Sequence, residues 1–326
     1  MSNIREKENG GFFCGRFGQA IASFWKHFIR DWQLYLLILI PTVYILIFYY
    51  GPMYGIQIAF RDFRPLKGIT GSDWVGLKWF EKFLTSADFK KVFLNTLILS
   101  LYNLVVSFPL PILFALVLNA VRGKRFKKVV QNVSYMPHFI SLAVAVAIVD
   151  MILSPVNGLY GNIYRLFGGS GYPVDFRSTA NAFRHIYVWS GIWQNLGWNS
   201  IIYISALSSV SPELHEAAKI DGASRFKRVL HVDFPAIVPT AAVMLIMRCG
   251  GIISIGFEKT YLMQTELNLR VSEVISTYVY KAGMGNFRDF SYGAAVGVFE
   301  MLINVTLLII ANKVSKQISN NEVSLF

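Results

Sequence analysis

Long apolar runs constrain this chain more than any other feature of its sequence. A helix that crosses a bilayer needs about 20 mostly apolar residues, because its backbone polar groups must be bonded within the segment. Six runs meet this length, and we predict that each forms a spanning helix: residues 34–52, 92–119, 130–153, 184–207, 236–256 and 291–312. Charged residues make up 15% of the sequence, whereas soluble domains carry about 25%. We therefore predict an all-α, polytopic membrane protein with one domain over residues 34–312, between tails over 1–33 and 313–326.

Basic residues set the predicted orientation. The segment RGKRFKK, from Arg122 to Lys128, holds five basic residues and no acid between the second and third predicted spans. Such short basic loops stay on the cytoplasmic side of the membrane. Both termini and the loop over residues 211–235 would then face the cytoplasm, although an inverted topology stays open. The tail before the first span could form an interfacial helix over residues 17–32 or a solvated basic tail.

The net charge of +12 raises the question of nucleic acid as a partner. In an apolar chain, basic residues more often serve topology and contact with anionic lipid. We therefore expect membrane lipid, and no nucleic acid, as a partner.

A polar loop, SPELHEAAKIDGASRFKRVLHVDFPAIVP, separates the fourth and fifth predicted spans. Ser211 is a good helix N-cap, and Pro212 fits the first helical position. The helix can run to about Ile220, because Gly222 permits the positive φ that ends it, and Ser224 can start a second short helix. The loop therefore predicts a compact helix–turn–helix. Pro235 and Pro239 limit where the chain can re-enter a helix, at the start of the fifth span.

This loop resembles the cytoplasmic signature of the permeases of ABC importers, which reads E-A-A, three residues, G, nine residues, I, any residue, L-P. The residues at the matching spacings are Glu216, Ala217, Ala218, Gly222, Val232, Phe234 and Pro235. Val and Phe replace Ile and Leu, and both keep an apolar side chain. The resemblance implies a type I ABC importer permease fold in the cytoplasmic (inner) membrane of a bacterium.

The resemblance also implies a role for the loop, which is to dock into a cleft on a separate ATPase subunit. Glu216 would make the polar contact, Gly222 the turn, and Ala217 and Ala218 the closely packed face. The coupling residues that it implies are Glu216, Ala217, Ala218, Asp221, Gly222 and Pro235. The sequence lacks the phosphate-binding motif G-x-x-x-x-G-K-[ST]. We therefore expect ATP and Mg²⁺ in the partner ATPase, with no cofactor, metal or enzymatic activity in this chain.

Three further segments resemble carbohydrate-import permeases, and most closely those for oligo- and polysaccharides such as alginate or pectin fragments. They are GPMYGIQIAFRDFRP (Gly51–Pro65), WVGLKWFEKFL (Trp74–Leu84) and FLNTLILSL (Phe93–Leu101). The resemblance implies a saccharide substrate, a second homologous permease in a heterodimer, two ATPase subunits and an extracellular or periplasmic binding protein. The outer segments around residues 53–91 and 256–290 are the expected docking surfaces for that binding protein.

Candidate residues of the substrate path lie in the fourth, fifth and sixth predicted spans. They are Trp193, Gln194, Asn195, Asn199, Arg248 and Glu300. Aromatic faces and amides bind sugars, but they also serve in interface belts and helix contacts, so both roles stay open.

Arg248 and Glu300 fall at similar predicted depth in their spans. An Arg at a helix centre costs about 2.5–3.5 kcal/mol on insertion scales, so it faces the bundle interior or a water-filled path. One hypothesis is a mutual ion pair that locks the two helices. The other places Arg248 on the path, where it would favour an acidic sugar such as a uronate oligosaccharide.

A proton-coupled secondary carrier is the alternative function. Asp150 and Glu300 would then relay protons within the membrane. This hypothesis explains the two carboxylates but not the loop signature, and the sequence has no inverted repeat of the kind that many carriers show.

Overall fold

The computed structural model describes residues 30–285 and 288–318 of the 326-residue chain. These ranges are mostly helical, and they contain only two short strands, β1 (Arg61–Asp62) and β2 (Asp73–Trp74), which pair antiparallel. The chain divides into two units, Met1–Gln57 and Ile58–Phe326. The predicted interfacial helix lies almost wholly outside the described residues.

The described residues of the first unit belong to a long apolar helix that ends three residues beyond the unit's boundary. Helix α1 (Trp32–Ile45) continues through a π-helical turn, Leu46–Tyr50, into α2 (Gly51–Met53) and a 3₁₀ helix, Tyr54–Phe60. The whole stretch is 29 residues long and apolar enough to cross a membrane. The first predicted span is therefore confirmed as a helix.

The second unit holds the remaining helices. In chain order they are α3 (Lys78–Leu84), α4 (Ala87–Ser107), α5 (Pro109–Ala120), α6 (Lys124–Tyr135), α7 (Leu142–Leu153), α8 (Leu159–Leu166), α9 (Ala180–Ser208), α10 (Pro212–Ile220), α11 (Arg225–Arg228), α12 (Phe234–Cys249), α13 (Phe257–Met263), α14 (Leu269–Ser272), α15 (Ile275–Met284) and α16 (Phe290–Ile318). Short 3₁₀ helices occur at Pro65–Lys67 and Met136–Phe139, and a π turn at Val229–Asp233.

Four helical segments of the described chain are long and apolar enough to cross a membrane. They are Trp32–Phe60, Ala87–Ala120, Arg225–Cys249 and Phe290–Lys313. Helix α9, where we predict the fourth span, is 29 residues long but is not among them. Its side chains include Gln194, Asn195 and Asn199, which lower the hydropathy of any window that contains them.

The third predicted span, residues 130–153, is broken rather than straight. The segments Lys124–Phe139 and Leu142–Leu153 meet at an angle of 104°. Pro137 lies in the 3₁₀ turn before the break, and Ser141 caps α7 by accepting a hydrogen bond from the N–H of Val144 at 3.4 Å. If the bent pair counts as one span, the described residues contain five, so the count of six stays a prediction.

Helix α9 is the central element of the second unit. It packs against α4, α5, α6, α12, α13 and α14. Its buried apolar side chains, including Val188 and Tyr203, belong to two separate core clusters. A third cluster surrounds Phe83 of α3 and the buried face of α16. Because α9 contacts most of its neighbours, its polar residues are held in fixed positions between them.

Candidate functional site

The polar loop after α9 folds into α10, a turn and α11, as the sequence predicts. Oγ of Ser211 accepts a hydrogen bond from the N–H of Glu213 at 3.2 Å, and Pro212 occupies the first helical turn. None of the residues of α10 is buried, and Glu216 and Ala217 are exposed. The loop therefore presents a capped helix whose surface is open to a partner.

Two backbone hydrogen bonds close the turn that ends α10. Gly222 has a φ of +76°, which L side chains adopt only with strain. Its N–H donates to the carbonyl of Lys219 at 3.1 Å, and the N–H of Ala223 donates to the carbonyl of Ala218 at 2.9 Å. These are the two bonds of a Schellman motif, which satisfy carbonyls that the helix end leaves free.

Helix α11 runs without interruption into the fifth span. Ser224 caps it by accepting a hydrogen bond from the N–H of Lys227 at 3.3 Å, and the π turn Val229–Asp233 joins it to α12. The α-helix of the fifth span begins at Phe234 with Pro235 in its first turn, as predicted, but it is continuous with the preceding π turn, and Pro239 lies inside α12. The π turn ends at Asp233, two residues before Pro235, and its wider hydrogen-bond pattern accommodates the N–H that Pro235 lacks.

A buried carboxylate connects α10 to the rest of the bundle. Oδ1 of Asp233, a residue that is 3% exposed, lies 3.2 Å from Nε2 of His215 and accepts a hydrogen bond from Nδ2 of Asn119 at 3.3 Å. Nζ of Lys127 donates to Oδ1 of Asn119 at 3.4 Å. The sequence analysis did not single out His215 or Asp233, because nothing in the sequence shows that this position of the signature is buried.

A cavity of about 340 Å³ lies beside α9. Four of the six predicted path residues line it: Gln194, Asn195, Asn199 and Arg248. Asn195 and Asn199 are four residues apart and so share one face of the helix. Asn103 and Ser107 of α4 and Lys259 of α13 add polar groups to the same walls.

Two of these amides also hold the break in the third predicted span. Nε2 of Gln194 donates to the carbonyl of Ile140 at 3.0 Å, and Oδ1 of Asn195 lies 2.9 Å from Nδ1 of His138. The imidazole of His138 stacks on Trp198, with the ring centroids 4.3 Å apart. Gln194 and Asn195 therefore have a structural role in addition to lining the cavity.

Arg248 lies in the last turn of α12, since this helix ends at Cys249 and not at residue 256 as predicted. Its Nη1 donates to Oγ of Ser107 at 3.3 Å. Glu300 lies elsewhere, next to Ser254. No ion pair joins Arg248 to Glu300 in the described ranges, so the hypothesis of a mutual ion pair is wrong. Their contacts explain the difference, because Arg248 reaches Ser107 of α4 whereas Glu300 lies next to Ser254, beyond the end of α12.

Trp193 and Glu300 do not line the cavity beside α9. Trp193 is 43% exposed and faces a separate apolar hollow of about 420 Å³ with Trp189 and His185. Neighbouring residues of a helix point about 100° apart, so Trp193 and Gln194 reach different surfaces.

Lys259 is the functional candidate that the sequence analysis missed. It is 8% exposed; its Nζ donates to the carbonyl of Tyr187 at 2.7 Å and lies 4.7 Å from the centroid of the Tyr187 ring. It belongs to α13, outside the candidate spans, and burial lowers the pKa of its ammonium to about 8. Within the described chain, no Asp or Glu lines the cavity. The burial of Lys259 depends on contact with α9, which cannot be read from the sequence.

Asp150, the other carboxylate of the carrier hypothesis, is paired. Its Oδ1 lies 2.7 Å from Nε of Arg177. Among residues 30–285 and 288–318, no three His, Cys, Asp or Glu side chains form a group that could hold a metal ion.

Similar proteins identify the family. Residues 84–320 match the family described as "Binding-protein-dependent transport system inner membrane component". The polygalacturonan/rhamnogalacturonan transport system permease protein YteP of Bacillus subtilis (strain 168) is 42% identical over 289 residues, which is 89% of each chain. Protein LplB of the same organism is 38% identical over 288 residues, covering 88% of this chain and 90% of that protein.

A solved structure agrees with these relatives. The chain resembles one in the crystal structure of a bacterial alginate ABC transporter in complex with alginate pentasaccharide-bound periplasmic protein, with a TM-score of 0.83 and 36% identity over 92% of this chain and 99% of that chain. Neither the family nor these relatives supports a proton-coupled carrier. The sequence-based resemblance to the permeases of ABC importers, which are transport components and not enzymes, is confirmed. The chain belongs to the binding-protein-dependent transport system inner membrane component family, the permease subunits of ABC importers.

Proposed function

We propose that this chain forms half of the translocation path of an ABC importer for an acidic oligo- or polysaccharide. The observation that carries the proposal is the cavity beside α9, where Arg248 meets the amides of Gln194, Asn195 and Asn199. A guanidinium suits a carboxylate, and amides suit sugar hydroxyls. Relatives named for polygalacturonan and alginate transport support the same substrate class, because both polymers carry a carboxylate on each sugar unit.

The importer would contain further subunits. We propose that this chain pairs with a homologous, non-identical permease and works with two ATPase subunits, which bind ATP and Mg²⁺, and with an extracellular or periplasmic binding protein. The chain would lie in the cytoplasmic membrane of a bacterium with both termini in the cytoplasm.

Coupling to the ATPase would occur through α10. Glu216 and Ala217 are exposed on this helix, and Gly222 forms the turn that ends it. Asp221 caps the C-terminus of α10, and exposed Pro235 lies beyond α11 at the start of α12. Because α11 is continuous with the fifth span, a displacement of α10 in the ATPase cleft would move α12 and with it Arg248 on the cavity wall.

The binding protein would dock on the outer segments. Nζ of Lys91 lies 2.7 Å, and Nζ of Lys281 3.1 Å, from the carboxylate of Glu273, while Nζ of Lys82 lies 3.4 Å from Asp289. These ion pairs border a hollow of about 790 Å³, and they come from both segments that we assign to docking, residues 53–91 and 256–290.

Affinity purification of the tagged chain from its native membrane tests the proposed assembly, with partners identified by mass spectrometry. The proposal predicts recovery of an ATPase and a second permease, and loss of the ATPase from a Glu216→Ala, Gly222→Pro double variant. A Leu66→Ala variant is the matched control, since Leu66 is fully exposed in the outer segment. Recovery of a homo-oligomer, with no ATPase in any of the samples, would contradict the proposal.

A further inference from the structure

The buried ammonium of Lys259 lacks a carboxylate partner. Its Nζ has one hydrogen bond in the structure, to the carbonyl of Tyr187, and one contact with the face of the same residue's ring. An ammonium carries three donors. The ion pairs of the described residues do not include Lys259, and no acidic side chain lines its cavity. A buried charge of this kind is costly unless a ligand or another group compensates it.

Helix α9 leaves room for this ammonium at Gly191. A Cβ atom at that position would lie 2.9 Å from Nζ of Lys259. Because glycine has no side chain, Nζ can reach the carbonyl of Tyr187 one turn earlier on the same helix. Helices α9 and α13, which are distant in the sequence, therefore together accommodate a positive charge at the wall of the cavity.

Arg248 supplies a second cation to the same cavity. Its Nη1 donates to the neutral hydroxyl of Ser107, and its guanidinium has further donors. In the described part of the chain, neither Arg248 nor Lys259 is in an ion pair, so the walls carry an uncompensated positive charge. The cavity volume, about 340 Å³, falls within the range of about 300–1,000 Å³ that is typical of small-molecule sites.

We propose that Lys259 is a specificity-determining residue that binds the carboxylate of an acidic sugar unit in this cavity, with Arg248 as the second cation. The inference rests on the proposed function. The carboxylate completes the hydrogen bonding of the ammonium and replaces the missing counter-ion, whereas an uncharged sugar leaves the ammonium uncompensated. This difference favours acidic over neutral saccharides.

The test compares uptake of two probes by cells that carry the complete importer. Trigalacturonate is the acidic probe, and its trimethyl ester, which keeps the same sugar chain, is the uncharged probe. Each variant is scored by its ratio of acid uptake to ester uptake relative to wild type, so that any preference of the binding protein cancels. Recovery of the ATPase with each variant controls for assembly.

The proposal predicts that Lys259→Met lowers this ratio at least ten-fold, a change that corresponds to about 1.4 kcal/mol of lost preference for the acid. Lys259→Arg keeps most of the ratio because it keeps the charge. Gly191→Ala, which favours the helix but displaces the ammonium, lowers the ratio in the same direction. Combining it with Lys259→Met gives no further loss, because both changes remove the same contact.

Two results would overturn the proposal. An unchanged ratio for Lys259→Met in an assembled importer would mean that the ammonium only supports packing against Tyr187. Equal loss of both probes in Lys259→Met and Lys259→Arg would mean the same. If the wild-type importer takes up neither trigalacturonate nor trimannuronate, the proposal of an acidic substrate is itself wrong. The proposed role of Lys259 is then wrong as well.

Discussion

Nε2 of His215 lies 3.2 Å from Oδ1 of Asp233, and this contact joins α10 to the beginning of the fifth span. The same two elements are also joined along the chain, through α11 and the π turn Val229–Asp233. Asn119 adds the end of α5 to the contact by donating to the same carboxylate oxygen. A side-chain contact and a continuous helix therefore connect the proposed ATPase-binding helix to the wall that carries Arg248.

Removing the Asp233 carboxylate should weaken this connection without removing α10. Hydrogen bonds to charged groups contribute about 1.5–3 kcal/mol, and Asp233→Ala leaves Asn119 and His215 without their acceptor. We expect the ATPase to copurify, but fewer saccharide molecules to be transported per ATP hydrolysed in proteoliposomes. His231→Gln is the control, since exposed His231 contacts only the carbonyl of Lys227 among the hydrogen bonds of the described chain. An unchanged ratio of transport to hydrolysis would contradict this role.

Gly222 should tolerate Asn better than Val. A Cβ at Gly222 would meet no heavy atom within 4 Å, so the cost of substitution lies in the positive φ alone. This cost is about 1–2 kcal/mol for most residues and smaller for Asn. Gly222→Val should therefore reduce ATPase recovery more than Gly222→Asn, with little change in the thermal stability of the bundle. Gly251→Val, at an equally open glycine without a positive φ, should leave recovery unchanged; equal losses in all three variants would refute the argument.

Arg248 and Glu300 should behave as independent residues. They form no ion pair in the described residues, so the effects of Arg248→Gln and Glu300→Gln on stability should add within about 0.5 kcal/mol. Thermal unfolding of the two single variants and the double variant measures this sum. Folded Arg248→Gln should be recovered in normal yield, with reduced uptake of trigalacturonate. A coupling of about 1–3 kcal/mol would restore the ion-pair hypothesis.

Asp150 should not be required for energy coupling. Its contact with Arg177 is partly exposed, and such pairs contribute about 0–1 kcal/mol. Uptake by Asp150→Asn should stay near wild type, and it should survive a protonophore while ATP is maintained. Loss of uptake on adding the protonophore at constant ATP would contradict this prediction and favour a proton-coupled carrier.

Local signals were sufficient to predict α10 and the turn that ends it. Ser211, Pro212 and Gly222 act on their own backbone, so their sequence positions already define where α10 begins and ends. The bend of the third predicted span was missed because its apolar run continues through the break. There, Gln194 of α9 bonds the carbonyl of Ile140, a contact between segments far apart in the chain.

Tertiary contacts also explain the other differences. Arg248 bonds Ser107 of α4 and not Glu300, and the π turn Val229–Asp233 joined two helices that we expected to be separate. The burial of Lys259 depends on the absence of a side chain at Gly191, on another helix. Each of these features requires the packed structure, which hydrophobic periodicity and capping residues do not determine.

The most direct test of the account is photo-cross-linking from α10 in the assembled importer. A photoreactive amino acid would replace Ile220, which is 86% exposed at the end of this helix, and in a control would replace Leu77, which is 67% exposed in the outer segment. The account predicts a cross-linked product with the separate ATPase subunit from position 220 and none from position 77. A product with the ATPase only from position 77, or from neither position when the ATPase is present, would contradict it.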